Sequence, residues 1–224
     1  LSIRNFVRWA RNNYSNPVKD VLLIGKGVIY SQFRTNESNP NIKLLSLVPT
    51  FGNPASDNLL TAEGSSSMPL TPIGRISAIS KDEVYAYLAK LKEYEQLYNF
   101  SSPVLAEKGW MKNIIHVVGA GDNNTSSLLT AALEGQKKII EDSLYAGNVH
   151  TFSKTSADAV QQVASVRLNS LFKEGVGVLT YFGHSSSNAL EFNLDNPQAY
   201  DNPGKYPVFI VMGCNAGSFY NYNV

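Results

Sequence analysis

Cysteine is almost absent from this chain, because Cys214 is the single such residue among 224. One cysteine cannot form an intramolecular disulfide, and it cannot supply a structural zinc site of the usual cysteine-rich kind. Apolar runs also stay well short of the roughly 18 residues that a membrane-spanning helix needs. These absences argue against a disulfide scaffold, a zinc finger and a membrane-spanning chain.

Excess charge of either sign is missing as well. The 19 basic and 18 acidic residues leave a formal net charge of +1, which gives no electrostatic attraction to nucleic acid or to an anionic membrane. Hydrophobic residues make up 43% and charged residues 17%, which is typical of a folded domain rather than a disordered chain. We therefore expect a globular protein without a nucleic-acid partner.

The organisation of the chain suggests one domain. No repeat, low-complexity tract or clear linker divides residues 1–224, and this length can bury a substantial core. The first residue is Leu1 rather than Met, and the residues after it lack the apolar core of a signal peptide. We therefore expect a segment of a longer chain, whose other domains would be its partners.

Short apolar runs alternate with amphipathic segments along the chain. Because crossover helices bury both faces of a parallel sheet, strands that are apolar on both faces predict a three-layer α/β/α domain with a mostly parallel sheet. A capping box at Ser80 and Glu83 predicts a helix over residues 81–98. The other helices are expected at residues 3–14 and around Leu133 and Leu168. Strands are expected at residues 21–25, 44–48, 114–119, 148–152, 176–182 and 208–212.

The carboxyl ends of two predicted strands carry residues with chemical potential. His184 follows one strand and Cys214 follows another, and sites in open α/β sheets lie beyond these ends. A free thiol has a pKa of about 8.5, so a nearby imidazole that takes its proton turns it into a nucleophile. Glycines at 183, 213 and 217 would let a substrate backbone approach. A small buried cysteine and a structural histidine remain the alternative, since free cysteine is among the most buried residue types.

Other sites are weaker in the sequence. Gly119-Ala120-Gly121 lacks the third glycine of a dinucleotide-binding turn, and Ser185-Ser186-Ser187 lacks the Gly-x-Ser-x-Gly form of a nucleophile elbow. His116 and His150 lie in predicted strands without metal-ligand spacing, so we expect structural histidines whose hydrogen bonds are satisfied. Asp57 is a candidate for cation binding, although shaping of its own loop is favoured. The sequence otherwise indicates no metal site and no cofactor.

Five ordered elements resemble the gingipain family of cysteine peptidases, family C25, which has a caspase-like fold. Two of them surround His184 and Cys214, as Tyr-Phe-Gly-His-Ser-Ser and Met-Gly-Cys-Asn-Ala-Gly-Ser-Phe. The upstream elements are Pro49 with Ser56-Asp57, then Ile73-Gly74-Arg75-Ile76, and Lys92-Glu93-Tyr94-Glu95. The chain also resembles the gingipain-like domains of Bacteroidetes-type surface secretion, the type IX branch, which include a sortase-like processing peptidase.

The resemblance implies a role for each matching residue. Cys214 would be the nucleophile, His184 its proton partner, and the backbone N–H groups of Ser185 and Cys214 the oxyanion hole. Asp122 would be the acid that assists His184. The substrate cleft would be lined by Gly183, Ser186, Gly213, Asn215 and Gly217. The resemblance further implies a peptide or protein substrate, a location outside the cytoplasm at the cell surface or in secretion, and compatibility with calcium.

Departures from the family pattern motivate a rival hypothesis. Ser185 stands where the family usually has glycine, and this places a side chain beside the oxyanion hole. The segment 123–127 lacks the acidic residue that Arg-specific members use, so specificity for arginine does not carry over. The family fold continues past the point where this chain ends, ten residues after Cys214, which predicts truncation at the C-terminus. The rival is an inactive domain that serves as a binding or structural module of a large surface protein.

Overall fold

A computed structural model describes residues 2–100, 104–120, 122–153, 159–185 and 200–221. The chain divides into two compact units. One contains the described residues up to Tyr87 and from Phe219 onward, and the other contains residues 88–218. The elements in chain order are α1 (Ser2–Asn13), β1 (Val21–Ile24), α2 (Tyr30–Thr35), α3 (Pro40–Leu45), α4 (Asn58–Thr61), β2 (Ile73–Ile76), α5 (Lys81–Phe100), α6 (Leu105–Lys108), a 3-10 turn (Gly109–Lys112), β3 (Asn113–Gly119), α7 (Asn123–Ile140), β4 (Asn148–Ser153), α8 (Ala159–Glu174), β5 (Val178–Gly183) and β6 (Val208–Met212).

The first unit contains a two-stranded parallel sheet. Val21 of β1 lies opposite Ile73 of β2, and Ile24 lies opposite Ile76. The strand predicted at residues 21–25 is therefore present, and it pairs with a segment for which no strand was predicted. Ile24 is 52% exposed, so this strand is not buried on both faces as expected.

The strand predicted at residues 44–48 is wrong, because the segment begins in α3. Asn39 caps this helix by accepting a hydrogen bond from the N–H of Asn41 at 3.0 Å. Pro40 occupies the first helical turn, where its missing N–H leaves no intrahelical bond unmade. The run Leu44-Leu45 is thus the end of a helix, and the chain continues through Ser46 without regular structure.

The helix predicted at residues 81–98 is confirmed as α5. The N–H of Glu83 donates to the hydroxyl of Ser80 at 3.3 Å, as a capping box requires. The carboxylate of Glu83 accepts from the N–H of Ile79 at 2.8 Å, one residue before the expected partner. The described part of the chain contains no helix that is long and apolar enough to cross a membrane.

Within the described residues, the second unit contains a four-stranded parallel sheet with the order β4-β3-β5-β6. One cluster of buried residues joins strand residues to α8, and a smaller one joins them to α7. The larger cluster contains Ile115, Val117, Phe152, Leu168, Leu171, Phe172, Val176, Leu179 and Tyr181, and the smaller contains Val118, Ala120 and Leu133. Helices therefore lie on both faces of the sheet, which confirms the α/β prediction.

The edge strand β6 departs from that prediction. Its five residues are apolar, yet every one of them is exposed, from 37% at Met212 to 61% at Val208. The expectation of strands covered on both faces therefore holds at the centre of the sheet and fails at this edge. The strands that the structure describes form two parallel sheets, where the sequence pattern suggested one.

Candidate active site

Three neighbouring strands of the second unit end at the same edge of the sheet. Strand β5 pairs with β3 on one side and with β6 on the other, and Phe182 lies opposite Met212. His184 is two residues beyond Phe182, and Cys214 is two residues beyond Met212. Adjacent parallel strands lie about 4.8 Å apart, so His184 and Cys214 follow equivalent positions on neighbouring strands.

The strand order also places a topological switch point at this edge. The chain leaves β3 through α7 and enters β4 on one side, whereas it leaves β5 for β6 on the other side. Connections that diverge from two adjacent strands mark the switch point where α/β sheets hold their ligands. Asp122 follows β3 and His184 follows β5, so both lie at the switch point.

The backbone of His184 is held on both sides. Its N–H donates to the carbonyl of Gly119 at 2.6 Å, and its carbonyl accepts a hydrogen bond from the hydroxyl of Tyr181. The backbones of Gly119 and Gly183 approach so closely that a Cβ on Gly183 would overlap the carbonyl of Gly119. His184 is an exposed residue, so solvent and a substrate can reach its imidazole.

Asp122 caps the helix that begins beside His184. Its carboxylate accepts from the N–H of Thr125 at 2.8 Å, in the arrangement of an N-cap. Hydrogen bonds from Thr125 are the main reason that the pKa of Asp122 lies below its ordinary value, and the charge of His184 adds to the effect. Asp122 is therefore an ionised carboxylate within electrostatic range of the imidazole.

Cys214 is exposed and lies in the turn that follows β6. Its carbonyl accepts a hydrogen bond from the hydroxyl of Ser185 at 2.7 Å, which ties this turn to the end of β5. Asn215 adopts a left-handed conformation, with φ of 58°, which asparagine tolerates better than most residues. The N–H of Ala216 donates to the carbonyl of Gly213 at 3.4 Å, so the chain bends sharply around the thiol.

The other residues that were expected to line the substrate cleft differ in how tightly they are packed. Gly213 packs tightly, because a Cβ there would overlap the hydroxyl of Ser185 and lie 3.0 Å from the carbonyl of Gly183. A Cβ on Gly217 would meet nothing within 4 Å, so this glycine borders open space. Ser186 lies outside the described residues.

Asp57 lies in the first unit, and its carboxylate binds Arg75. The guanidinium donates to Oδ1 and Oδ2 of Asp57 at 2.7 and 2.8 Å, and to the carbonyls of Gly25 and Val48 at 2.7 and 3.1 Å. Burial and Asp57 together raise the pKa of Tyr220, which lies beside this pair, to about 12.

The described residues contain no group of three or more His, Cys, Asp or Glu side chains that could hold a metal ion. The contacts of Asp57 thus favour loop shaping over cation binding.

His116 and His150 lie in β3 and β4, away from the strand ends. His116 is 1% exposed, and neither ring nitrogen has a hydrogen-bond partner among the described residues. The sequence predicted a satisfied structural histidine, so the prediction of hydrogen bonding is wrong for His116. In contrast, the ring of His150 has Asn148 at 3.0 Å and Arg167 at 3.5 Å.

Sequence reasoning assigned no separate role to Tyr181, beyond its place in a motif. Nothing in the sequence shows that its hydroxyl reaches forward to the carbonyl of His184. The signal available was a tyrosine within an otherwise apolar strand, because a buried phenol needs a hydrogen-bond partner.

Comparison with known proteins gives a consistent result. The family model of peptidase family C25 matches residues 1–224. The crystal structure of the Arg-specific cysteine proteinase gingipain R is similar in fold, with a TM-score of 0.65 and 15% sequence identity. The alignment covers 97% of this chain and 45% of that structure, so the chain spans less than half the length of gingipain R. No curated protein matches the chain.

The family match covers every element described above, including the two strand ends that carry the histidine and the cysteine. The structural similarity shows that the α/β fold with parallel sheets is gingipain-like. This chain is a member of peptidase family C25, the gingipain family of cysteine peptidases.

Proposed function

We propose that this chain is a cysteine endopeptidase with a Cys214–His184 dyad. The observation that carries the proposal is the register of β5 and β6, because it brings the only cysteine and an exposed histidine to equivalent positions on adjacent strands. The exposure of Cys214 supports the same conclusion, since a small core cysteine would be buried.

The proposed reaction proceeds through an acyl-enzyme. His184 takes the proton of Cys214, and the thiolate then attacks the carbonyl carbon of a peptide bond. The oxyanion that forms accepts hydrogen bonds from the backbone N–H groups of Ser185 and Cys214. The C–N bond breaks as protonated His184 gives its proton to the leaving amine. Water, or an incoming amine, then gives a proton to His184 and attacks the thioester carbon; the C–S bond breaks and Cys214 leaves as the thiolate.

Asp122 has a supporting role in this proposal. Its ionised carboxylate would stabilise the imidazolium that forms during catalysis, by analogy with the third member of other catalytic triads. The proposed chemistry uses only side chains and backbone groups of the chain. A peptide or protein substrate follows from family membership, and processing of secreted proteins outside the cytoplasm is the biological setting that we propose.

The rival is a binding module that keeps the fold without the chemistry. Ser185 motivated this rival, because its side chain stands beside an oxyanion donor. The hydroxyl of Ser185 is bonded to the carbonyl of Cys214, so it is engaged with the protein backbone. This contact supports the enzyme, because it holds the Ser185 side chain against the protein backbone.

The test measures alkylation of Cys214 against pH in the wild-type chain and in His184→Ala, and cleavage of a diverse peptide library. A working dyad predicts fast alkylation well below the free-thiol pKa of about 8.5, loss of this reactivity in His184→Ala, and cleavage that Cys214→Ala abolishes. Alkylation that rises only near pH ~8.5 and ignores the mutation, together with an uncleaved library, would instead support the binding module.

A further inference from the structure

Tyr181 is completely buried, although its hydroxyl is polar. The ring belongs to the hydrophobic cluster beneath α8 and is 0% exposed. The hydroxyl donates a hydrogen bond to the main-chain carbonyl of His184, three residues further along the chain. A buried hydroxyl needs such a partner, and here the partner is the backbone of the proposed catalytic histidine.

The peptide unit after His184 explains why this bond matters. The carbonyl of His184 and the N–H of Ser185 belong to one planar trans peptide unit, so they point in opposite directions. A hydrogen bond that fixes the carbonyl therefore also fixes the direction of the N–H. That N–H is one of the two proposed oxyanion donors, and an oxyanion hole depends on donors that are aimed before the reaction begins.

The surrounding contacts hold the hydroxyl in place. A Cβ on Gly119 would overlap the Tyr181 hydroxyl, so the phenol lies directly against the backbone of β3. The N–H of His184 is bonded to the carbonyl of the same Gly119. The Tyr181 bond thus anchors the peptide unit that carries the Ser185 N–H, and the His184 N–H bond to Gly119 anchors the peptide unit just before it.

We infer that Tyr181 is a positioning residue for the oxyanion hole, and that its hydroxyl aims the N–H of Ser185 at the substrate carbonyl. This inference rests on the proposed endopeptidase function. It separates two properties of the site. Formation of the thiolate depends on His184, whereas stabilisation of the tetrahedral oxyanion depends on Tyr181.

Tyr181→Phe is the variant that tests the inference, because it removes the hydroxyl and keeps the ring. We expect kcat for a cleaved peptide to fall on the order of tenfold with KM unchanged. The reason is that a misdirected Ser185 N–H weakens a hydrogen bond to the oxyanion, which forms only in the transition state. Alkylation of Cys214 by iodoacetamide forms no oxyanion, so its rate is expected to stay within about twofold of wild type. Tyr181→4-aminophenylalanine restores an N–H donor and is expected to recover most of kcat.

Tyr206→Phe is the matched control. The Tyr206 hydroxyl also donates a hydrogen bond, to Glu93 at 2.5 Å, in the same unit but before the amino end of β6, at the opposite end of that strand from Cys214. We expect its kcat to equal that of wild type. Circular dichroism and thermal unfolding check that both variants fold.

The outcomes separate this inference from the proposed function. A folded Tyr181→Phe variant with wild-type kcat would overturn the inference alone, and so would a parallel loss of kcat and alkylation rate. If Tyr181→Phe does not fold, the 4-aminophenylalanine variant decides, because a donor at this position must preserve kcat. A wild-type chain that cleaves no peptide and whose alkylation ignores His184→Ala overturns the proposed function, and this inference with it.

Discussion

The hydroxyl of Ser185 donates a hydrogen bond to the carbonyl of Cys214 across 2.7 Å, and so joins the residue after the histidine to the proposed nucleophile. This bond crosses from the end of β5 to the turn after β6. It fits only because position 213 is glycine, since a Cβ there would overlap the Ser185 hydroxyl. The size of the residue at position 213 therefore determines whether Ser185 can make this hydrogen bond.

Gly213→Ala tests this coupling. We expect the substitution to lower the free energy of unfolding by about 1–3 kcal/mol, as overpacking does, because the new methyl group displaces Ser185 and its hydrogen bond. In a Ser185→Gly background the same change is expected to have a smaller effect. Urea unfolding of the single and double variants gives the coupling energy.

The control for this cycle is Gly217→Ala, since a Cβ at position 217 meets nothing within 4 Å. Its free energy of unfolding is expected to stay within about 0.5 kcal/mol of wild type, as for most surface substitutions. An equal effect of Gly213→Ala in both backgrounds would contradict the proposed coupling.

Asp122 combines two functions that substitution can separate. Asparagine caps helices as well as aspartate does, so Asp122→Asn keeps the cap on α7 and removes the charge. We expect this variant to retain its stability and to lose kcat roughly threefold to thirtyfold, because the imidazolium of His184 loses a nearby carboxylate. Peptide cleavage and thermal unfolding measure the two effects.

Asp122→Ala completes the comparison. Loss of the cap is expected to lower the free energy of unfolding by about 1 kcal/mol, in addition to the loss of kcat. If Asp122→Asn cleaved at the wild-type rate, the charge of Asp122 would have no part in catalysis.

The buried pair of Arg75 and Asp57 is expected to make the first unit sensitive to the loss of either charge. The Arg75 side chain is 1% exposed and that of Asp57 is 11% exposed, and two oxygens of Asp57 accept from the guanidinium. Asp57→Asn leaves a buried cation without its partner, which is expected to lower the free energy of unfolding by about 3–5 kcal/mol. Denaturation in urea measures the change.

An exposed ion pair provides the matched control. Arg34 and Glu37 are 58% and 44% exposed, so Glu37→Gln is expected to change the free energy of unfolding by no more than about 1 kcal/mol. Similar losses in Asp57→Asn and Glu37→Gln would show that burial of the Arg75 pair is unimportant.

His116 is expected to make stability depend on pH. Burial lowers the pKa of His116 below 6.5, and the charge of Lys137 lowers it further. The negative charges of Glu134 and Glu141 raise the pKa, but their effect is smaller than that of burial. The unfolded chain therefore binds more protons than the folded chain below pH 6.5, so stability falls as pH decreases from 6.5 towards the folded pKa. The loss is about 1.4 kcal/mol for each unit between the two pKa values.

His116→Leu tests this dependence. Urea unfolding between about pH 7.5 and 5.5 is expected to give a flatter profile in the variant than in wild type. Some slope remains, because burial also lowers the pKa of His150. Identical profiles in the two proteins would show that His116 does not contribute.

Local chemistry explains which helices the sequence predicted. The Ser80 capping box begins α5 where it was expected, because capping depends on residues close together in the chain. Residues 44–48 show the opposite case, since a short apolar run fits a strand or the end of a helix equally well. In this segment Asn39 caps α3 and Pro40 occupies its first turn, a combination typical of a helix start that the prediction of a strand did not take into account.

The site divides in a similar way. The sequence predicted that His184 and Cys214 follow strands, and the structure agrees on both positions. It did not predict that Tyr181 holds the carbonyl of His184, or that Arg75 takes both oxygens of Asp57. Such contacts join segments through the packing of the whole sheet or loop, and no local pattern encodes them.

The sequence by itself determined the family, the alternation of strands and helices, and the residue types at each strand end. These follow from local spacing, because the period of apolar residues and the capping residues act within a few positions of the chain. The tertiary structure alone decided the strand order β4-β3-β5-β6, and with it the pairing of Phe182 with Met212. Strand order depends on hydrogen bonds between residues far apart in sequence, so only the folded sheet puts His184 and Cys214, 30 residues apart in the chain, after the ends of neighbouring strands.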